Sequence, residues 1–190
     1  AGVINIITKD AQDGVHGSFT LGYGSFNTKS SQAQLSYADE KLSAQVLASY
    51  LDTDGFSALA PSDAEKDGYT NKDLNLKLGY AFNENNRLNL SYNRIKTETE
   101  YDDRWSVDLA NDDYSHSTSD QENYALDYRF ELDHYSAQLH ASRGEYERDY
   151  YTTGMYGDGY NVYKATLDEY AFINAYNYTS GKAVVGLEYK

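Results

Sequence analysis

Cysteine is absent from the chain, and proline and tryptophan each occur once among its 190 residues. Without cysteine, disulfide bonds, thiolate metal sites and cysteine nucleophiles are excluded. No stretch approaches the roughly 18 consecutive apolar residues that a membrane-spanning helix needs, which excludes helical membrane insertion. The chain does not open with the charged and apolar regions of a signal peptide, so a signal for export would have to lie upstream.

Basic residues are scarce. There are 16 Lys and Arg against 30 Asp and Glu, which gives a formal net charge of −14. Nucleic-acid binding proteins need a basic face, so the charge balance argues against a nucleic-acid partner. The same balance permits the binding of cations and cationic partners.

Tyrosine is abundant, with 21 residues against 6 phenylalanines. Tyrosine has an apolar ring and a polar tip, and therefore suits strand surfaces and membrane–water interfaces. The mean hydropathy of −0.76 is low for a membrane protein. A β-barrel remains compatible with it, because only alternate strand residues of a barrel face lipid.

Apolar and polar residues alternate along about nine segments, a pattern typical of half-buried β-strands. These segments are roughly 9–12 residues long, which matches the 9–11 residues of a tilted strand that crosses a bilayer. Strands of soluble sandwiches average only about 5–6 residues. Four clear examples lie at 15–23, 42–50, 74–82 and 124–132.

The predicted connections alternate in length from the second hairpin onward, as in outer-membrane barrels with short periplasmic turns and long extracellular loops. Short connections fall near 39–41, 83–86, 132–134 and 179–182, and long ones near 54–70, 98–118 and 148–166. Charges in one strand, such as Asp127, Arg129 and Glu131, suit a water-filled lumen. The sequence therefore predicts an all-β fold, an antiparallel transmembrane β-barrel.

The first nine residues differ from this pattern, because their β-branched run does not alternate and suits a strand buried on both faces. Gly2-Val-Ile-Asn-Ile-Ile-Thr-Lys9, followed by a strand that ends Leu-Gly-Tyr-Gly-Ser, resembles the plug-to-barrel junction of TonB-dependent outer-membrane receptors. The resemblance implies that residues 1–9 are the C-terminal end of a plug domain. It implies that residues 10–190 are the N-terminal part of the barrel, about nine of 22 strands.

The resemblance implies an outer-membrane receptor of a Gram-negative bacterium that takes up a scarce metal chelate with energy from TonB. Asp67-Gly-Tyr69 and Glu100-Tyr-Asp102 are similar to the loops of cobalamin receptors, which makes cobalamin the first candidate ligand and an iron-siderophore or haem the second. The implied partners are TonB, contacted through a region upstream, the chelate itself and outer-membrane lipid. A secreted or surface β-rich binding module or adhesin is the alternative, and the opening nine residues argue against a passive porin.

No catalytic constellation is found in the sequence, and an enzyme is not expected. The four histidines, His16, His116, His134 and His140, are scattered without metal-site spacing. Neither a G-x-S-x-G nor an H-E-x-x-H motif occurs.

The acidic loop at 62–68 is a candidate calcium site. Asp63, Glu65 and Asp67 alternate and are closed by Gly68, which matches the first half of an EF-hand-like loop, although its closing glutamate is replaced by Leu74. The resemblance to cobalamin receptors implies a Ca²⁺ ligand set, and a ligand of that family is lost where this chain has Gly55-Phe56-Ser57. Acidic loop residues that are merely solvated are the equal alternative. The implied ligands are Asp63, Glu65, Asp67, Tyr101 and Asp102.

Overall fold

The described part of the chain forms one antiparallel β-sheet. The computed structural model describes residues 11–56, 66–102, 115–152 and 158–190. Within these residues nine strands follow one another across the sheet in sequence order, each paired with the next. They are β1 (Gly14–Tyr23), β2 (Lys29–Ala38), β3 (Leu42–Thr53), β4 (Tyr69–Asn83), β5 (Asn86–Glu100), β6 (His116–Glu131), β7 (Tyr135–Thr152), β8 (Gly159–Tyr178) and β9 (Gly181–Tyr189).

This meander confirms the predicted all-β antiparallel fold and the predicted number of strands. The first strand predicted from residues 1–9 lies outside the described residues. No helix in the described ranges is long and apolar enough to cross a membrane.

Short polar turns close the hairpins at one rim, as predicted. In the β2–β3 turn, Asp39 Oδ1 accepts hydrogen bonds from the backbone N–H groups of Lys41 (2.8 Å) and Leu42 (2.7 Å). The Tyr37 hydroxyl donates to Asp39 Oδ2 at 2.6 Å. Together these bonds, led by that of Tyr37, lower the pKa of Asp39 to about 2. The carboxylate holds the turn as aspartate commonly does, by replacing backbone acceptors.

The register gives the sheet two chemically distinct faces. Residues that lie directly opposite one another in paired antiparallel strands point to the same face of the sheet. The leucine face contains the row Leu35, Val46, Leu76, Tyr92 and Tyr124. The asparagine face contains the adjacent row Gln34, Leu47, Asn75, Asn93 and Asn123.

The described residues form a single layer with almost no core. Ala38 and Ala175 are the only buried hydrophobic residues in the described ranges. Phe19, Leu21 and Tyr23 of β1 are 68%, 70% and 77% exposed. A water-soluble domain would cover such a face with a second layer of helices or strands. No such layer is present in the part of the chain that the structure describes.

The strands run further toward the long-loop rim than the sequence predicts. β7 continues to Thr152 and β8 begins at Gly159, so the long loop predicted at 148–166 was wrong. β4 and β6 begin at Tyr69 and His116, several residues before the alternating segments predicted from Leu74 and Tyr124. The prediction failed there because the leucine face turns polar, which removes the alternation that identifies a strand.

Candidate functional site

The leucine face changes from apolar to charged at a sharp boundary. On each strand from β2 to β8, apolar side chains occupy this face next to the short turns, and a charged residue then follows. Ser31, Asn86 and Asn174 are polar exceptions within the apolar part. The first charged residues on this face are Lys29, Asp52, Lys72, Arg94, Glu122, Arg143 and Asp168.

This boundary crosses the strands obliquely. Asp52 pairs with Lys29, and Lys72 lies two residues nearer the short turns, opposite Tyr50. Arg94 lies opposite Leu74, so the boundary on β5 is another two residues nearer the short turns than on β4. Arg143 lies opposite Tyr124, so the boundary moves by two residues again between β6 and β7. Over six strand spacings, about 29 Å, the boundary moves about 20 Å along the strands. The line is therefore inclined by about 35°.

An inclination of this size is expected where a flat membrane surface cuts tilted strands, since the strands of outer-membrane barrels tilt by about 35–45°. The apolar part of the leucine face, here called the apolar belt, also has a suitable height. On β3 it extends from Leu42 to Tyr50, about 27 Å along the strand and about 22 Å perpendicular to the boundary. The lipid-facing band of such barrels is about 25 Å tall.

Above the boundary, the leucine face of β4–β8 is a charged wall. Arg94 bonds Asp120 through Nη2 (2.7 Å) and Nε (3.0 Å) and lies 3.0 Å from Glu122. Lys96 lies 2.9 Å from Asp120, and Lys164 lies 2.7 Å from Glu147. The hydrogen bonds from Arg94 hold the pKa of Asp120 below its usual value. The partners are partly exposed, which fits a wall in contact with water rather than lipid.

The asparagine face carries many polar side chains on both sides of the boundary, with apolar exceptions such as Leu47 and Ile173. Asn93 Nδ2 donates to Asp73 Oδ1 at 3.1 Å, and Asn123 Nδ2 reaches Asn93 Oδ1 at 3.5 Å. Further along, His140 Nδ1 lies 2.7 Å from Asp127 Oδ1. The partner of His140 is thus a carboxylate on the neighbouring strand. These contacts suit a wet interior, where amides and carboxylates remain solvated.

A tyrosine–arginine patch occupies the asparagine face near the long-loop rim. It surrounds an open cavity of about 510 Å³. The Arg148 guanidinium lies 4.7 Å from the centroid of the Tyr150 ring, and the rings of Tyr150 and Tyr163 meet edge to face at 5.7 Å. The lining residues are Tyr101, Tyr146, Arg148, Tyr150, Thr152, Asn161 and Tyr163.

Arg148 has unused binding capacity in this patch. Its Nη2 reaches Ser117 Oγ at 3.5 Å, while its Nε is buried and makes no hydrogen bond to any described residue. A buried donor without an acceptor is rare in proteins and often marks a place for a ligand or water. Aromatic rings beside a guanidinium can bind a flat, electron-rich or anionic group by stacking and charge-assisted hydrogen bonds.

The predicted calcium ligands are only partly described. Asp63 and Glu65 lie outside the described residues, while Asp67, Tyr101 and Asp102 are brought to one rim by the pairing of β4 with β5. Just beyond that pairing, Gly68 N donates to Glu100 Oε2 at 2.8 Å, and Glu100 N donates to Gly68 O at 2.9 Å.

Two further contacts fix this rim. Gly55 has a positive φ of 66°, and a side chain there would collide with the carbonyl oxygen of Asp67. The Tyr101 hydroxyl donates to the Tyr151 carbonyl oxygen at 3.2 Å. No group of three or more His, Asp and Glu side chains is arranged to hold a metal ion among the described residues.

Sequence reasoning missed the tyrosine–arginine patch because it placed most of these residues in a loop. The evidence was nevertheless present: Tyr146, Arg148 and Tyr150 stand at every second position, as residues that share one face of a strand do.

Comparison with solved structures identifies the same architecture in a known receptor. The chain superimposes on the closed form of the ferric-catecholate import receptor Fiu from Escherichia coli K12 with a TM-score of 0.69 and 12% sequence identity. The match covers 98% of this chain and 33% of the receptor, so the chain spans about a third of that protein's length. No protein-family model and no curated protein sequence matches the chain. The described sheet therefore shares its fold with about a third of the Fiu import receptor.

Proposed function

We propose that the protein is an outer-membrane receptor of a Gram-negative bacterium that takes up a metal chelate with energy supplied through TonB. The oblique boundary of the apolar belt carries the proposal, because it supports strands that are tilted in a bilayer of about the observed belt height. In this arrangement the leucine face meets lipid and the asparagine face lines the lumen. The opening residues 1–9, which resemble the end of a plug domain, and the fold shared with part of Fiu support the same function.

The tyrosine–arginine patch is the proposed contact for the chelate. It lies on the lumen side, and Arg148 is five residues beyond the boundary residue Arg143, about 14 Å above the proposed membrane surface. A ferric chelate with aromatic, anionic groups fits the rings and the unused Arg148 donor best, and Fiu is itself a ferric-catecholate importer. Cobalamin, the first candidate from the sequence, becomes the second here, and it is supported by the likeness of 67–69 and 100–102 to cobalamin-receptor loops.

Binding measurements with Arg148→Ala test the cargo contact. Affinity of the purified protein for a ferric tris-catecholate, followed by quenching of protein fluorescence, should fall about 10-fold or more, because a charge-assisted hydrogen bond contributes about 1.5–3 kcal/mol. Arg143→Ala, on the leucine face, is the matched control and should bind normally. If the wild type and Arg148→Ala bind the ferric tris-catecholate with equal affinity, the tyrosine–arginine patch does not contact the chelate. Tight binding of cobalamin but not of the catecholate would favour the second candidate.

A surface-exposed binding module remains the alternative class. It requires the leucine face to be covered in plain buffer by a second layer or another molecule. Extraction from membranes only with detergent supports the receptor, whereas a monodisperse monomer without detergent contradicts it.

We also propose that Ca²⁺ binds at the long-loop rim through Asp63, Glu65, Asp67, Tyr101 and Asp102. Support comes from the alternating carboxylates and from the β4–β5 pairing, which brings 67–68 beside 100–102. Calorimetric titration of Asp63→Ala and Asp102→Asn should show at least a 10-fold weaker calcium affinity than the wild type. Asp168→Asn on the charged wall is the control, and unchanged affinity in both rim variants would exclude the site.

A further inference from the structure

The β1–β2 turn displays an exposed phenylalanine in an unfavourable backbone conformation. Phe26 and Asn27 have φ values of 56° and 54°, and they are the only non-glycine residues with positive φ among those described. For a bulky residue this conformation is a genuine outlier, and such outliers cluster at functional sites. Phe26 is 54% exposed, and its ring lies 5.6 Å from that of Phe56, which is 65% exposed. These two residues are here called the phenylalanine pair.

Several hydrogen bonds hold the turn against the end of β3. The Phe26 carbonyl oxygen accepts from the backbone N–H of Asp54 (3.0 Å) and from Thr53 Oγ1 (3.2 Å). Asn27 Nδ2 donates to Asp54 Oδ1 at 3.2 Å, and the Thr28 and Thr53 hydroxyls are 2.8 Å apart. This network fixes both halves of the pair, since Phe56 follows Asp54 by two residues. The strained backbone is therefore maintained by the surrounding bonds.

The phenylalanine pair lies at the level of the apolar boundary. Tyr23 pairs with Lys29, the boundary residue of β2, and Phe26 lies in the turn between them. Asp52 marks the boundary on β3, so Phe56 also follows it closely. The pair is thus within about 5–10 Å of the boundary, whereas Arg148 is about 14 Å above it. β1, which leads into the turn, carries the very exposed Phe19 and Leu21.

We propose that Phe26 and Phe56 insert into the outer surface of the lipid bilayer. They would anchor the long-loop end of β1–β3, which lies closer to the proposed membrane surface than the corresponding end of β7 and β8. The inference rests on the membrane location proposed above. Lipid is the occupant chosen because both rings are exposed, and Phe26 follows the exposed apolar side chains of β1 at the height where girdles of aromatic residues flank the lipid-facing band of outer-membrane barrels. Cargo contact is disfavoured because the tyrosine–arginine patch lies on the far strands β7 and β8.

Fluorescence quenching by brominated phospholipids tests this inference. Trp105, the only tryptophan, is replaced by Phe, and the protein is reconstituted in vesicles with a single new tryptophan. Phe26→Trp and Phe56→Trp should each lose at least half of their emission when the bromines lie near the headgroup end of the acyl chain. Leu90→Trp in the apolar belt should be quenched strongly, and Thr118→Trp on the charged wall should not be quenched.

The two controls separate failure of the anchor from failure of the membrane location. Quenching of Leu90→Trp combined with no quenching of Phe26→Trp, Phe56→Trp and Thr118→Trp would overturn the anchor. The proposed membrane location would stand. If Leu90→Trp is also unquenched, the leucine face does not meet lipid and both proposals fall. Phe56 lacks the positive φ of Phe26, so Phe56→Trp decides the matter even where Phe26→Trp disturbs the turn.

Discussion

The two halves of a single strand, β5, differ on one face only. Near the short turn its leucine face carries Leu88, Leu90 and Tyr92, and beyond the boundary the same face carries Arg94, Lys96 and Glu98. The asparagine face is largely polar in both halves. Strand propensity and register are continuous through the change, so local backbone preference does not explain it. A change in the medium that meets the leucine face does explain it, and the contrast between the apolar belt and the charged wall is the main support for the proposed membrane location.

Placing one positive charge on each side of the boundary is the strongest test of this contrast. Leu90→Lys introduces a charge near the middle of the apolar belt, opposite Leu78 and Leu126. It should lower the free energy of unfolding in lipid vesicles by about 2–4 kcal/mol, because lysine is costly at the bilayer midplane. Thr118→Lys on the charged wall should change it by less than about 0.5 kcal/mol. Similar costs for the two variants, measured by urea denaturation, would contradict a lipid-facing belt.

A smaller effect is expected from the ion pairs that begin the wall. Arg94→Gln removes the bonds to Asp120 and the contact with Glu122, and should lower the free energy of unfolding at low salt by much less than Leu90→Lys does. Arg129→Gln on the asparagine face is the control, since its nitrogen lies 3.8 Å from Glu131 and contributes little. The Arg94 effect should shrink in 1 M salt, because partly exposed charges are screened. An effect independent of salt would mean that Arg94 acts by packing within lipid.

The smallest predicted effect is the pH dependence of the β2–β3 turn. The pKa of Asp39 is lowered to about 2, so its stabilising bonds are fully present above about pH 4 and are lost as the pH falls toward 2. Tyr37→Phe removes the leading cause and should raise the pKa of Asp39, moving the loss of stability to higher pH. Thermal unfolding between pH 2 and 5 follows the shift. Identical acid profiles for the variant and the wild type would show that the hydroxyl is not responsible.

The belt was predictable from sequence and most of the wall was not. Leu74, Leu76 and Leu78 alternate with polar residues, so the lower half of β4 was identified, and the Asp39 turn was placed correctly. In 116–123 both faces are polar, so hydrophobic periodicity carries no information there. Only hydrogen bonding to neighbouring strands fixes those residues as β-structure, and pairing partners far apart in sequence are not visible in a single chain.

The residues of the candidate site were also only partly predictable from the sequence. Tyr101 and Asp102 were singled out through a family resemblance, and the register then brought them beside Asp67, while Asp63 and Glu65 lie outside the described residues. Arg148 was missed, since its surroundings depend on Tyr163, which lies opposite it on β8 and packs against Tyr150. A contact between strands β7 and β8 depends on where both strands end, and the sequence pattern placed those ends wrongly.

The oblique boundary also constrains which register the strands can adopt. If one strand shifted its pairing by a single residue, its side chains would exchange faces. Such a shift is already opposed because it would move the apolar side chains to the polar face. A slip of two residues keeps both faces correct, yet it displaces one strand by about 7 Å along its length. In the proposed bilayer, this displacement would move charges such as Arg94 into lipid or leucines such as Leu74 into water. In a bilayer, membrane thickness therefore selects among registers that hydrogen bonding and alternation leave nearly equivalent.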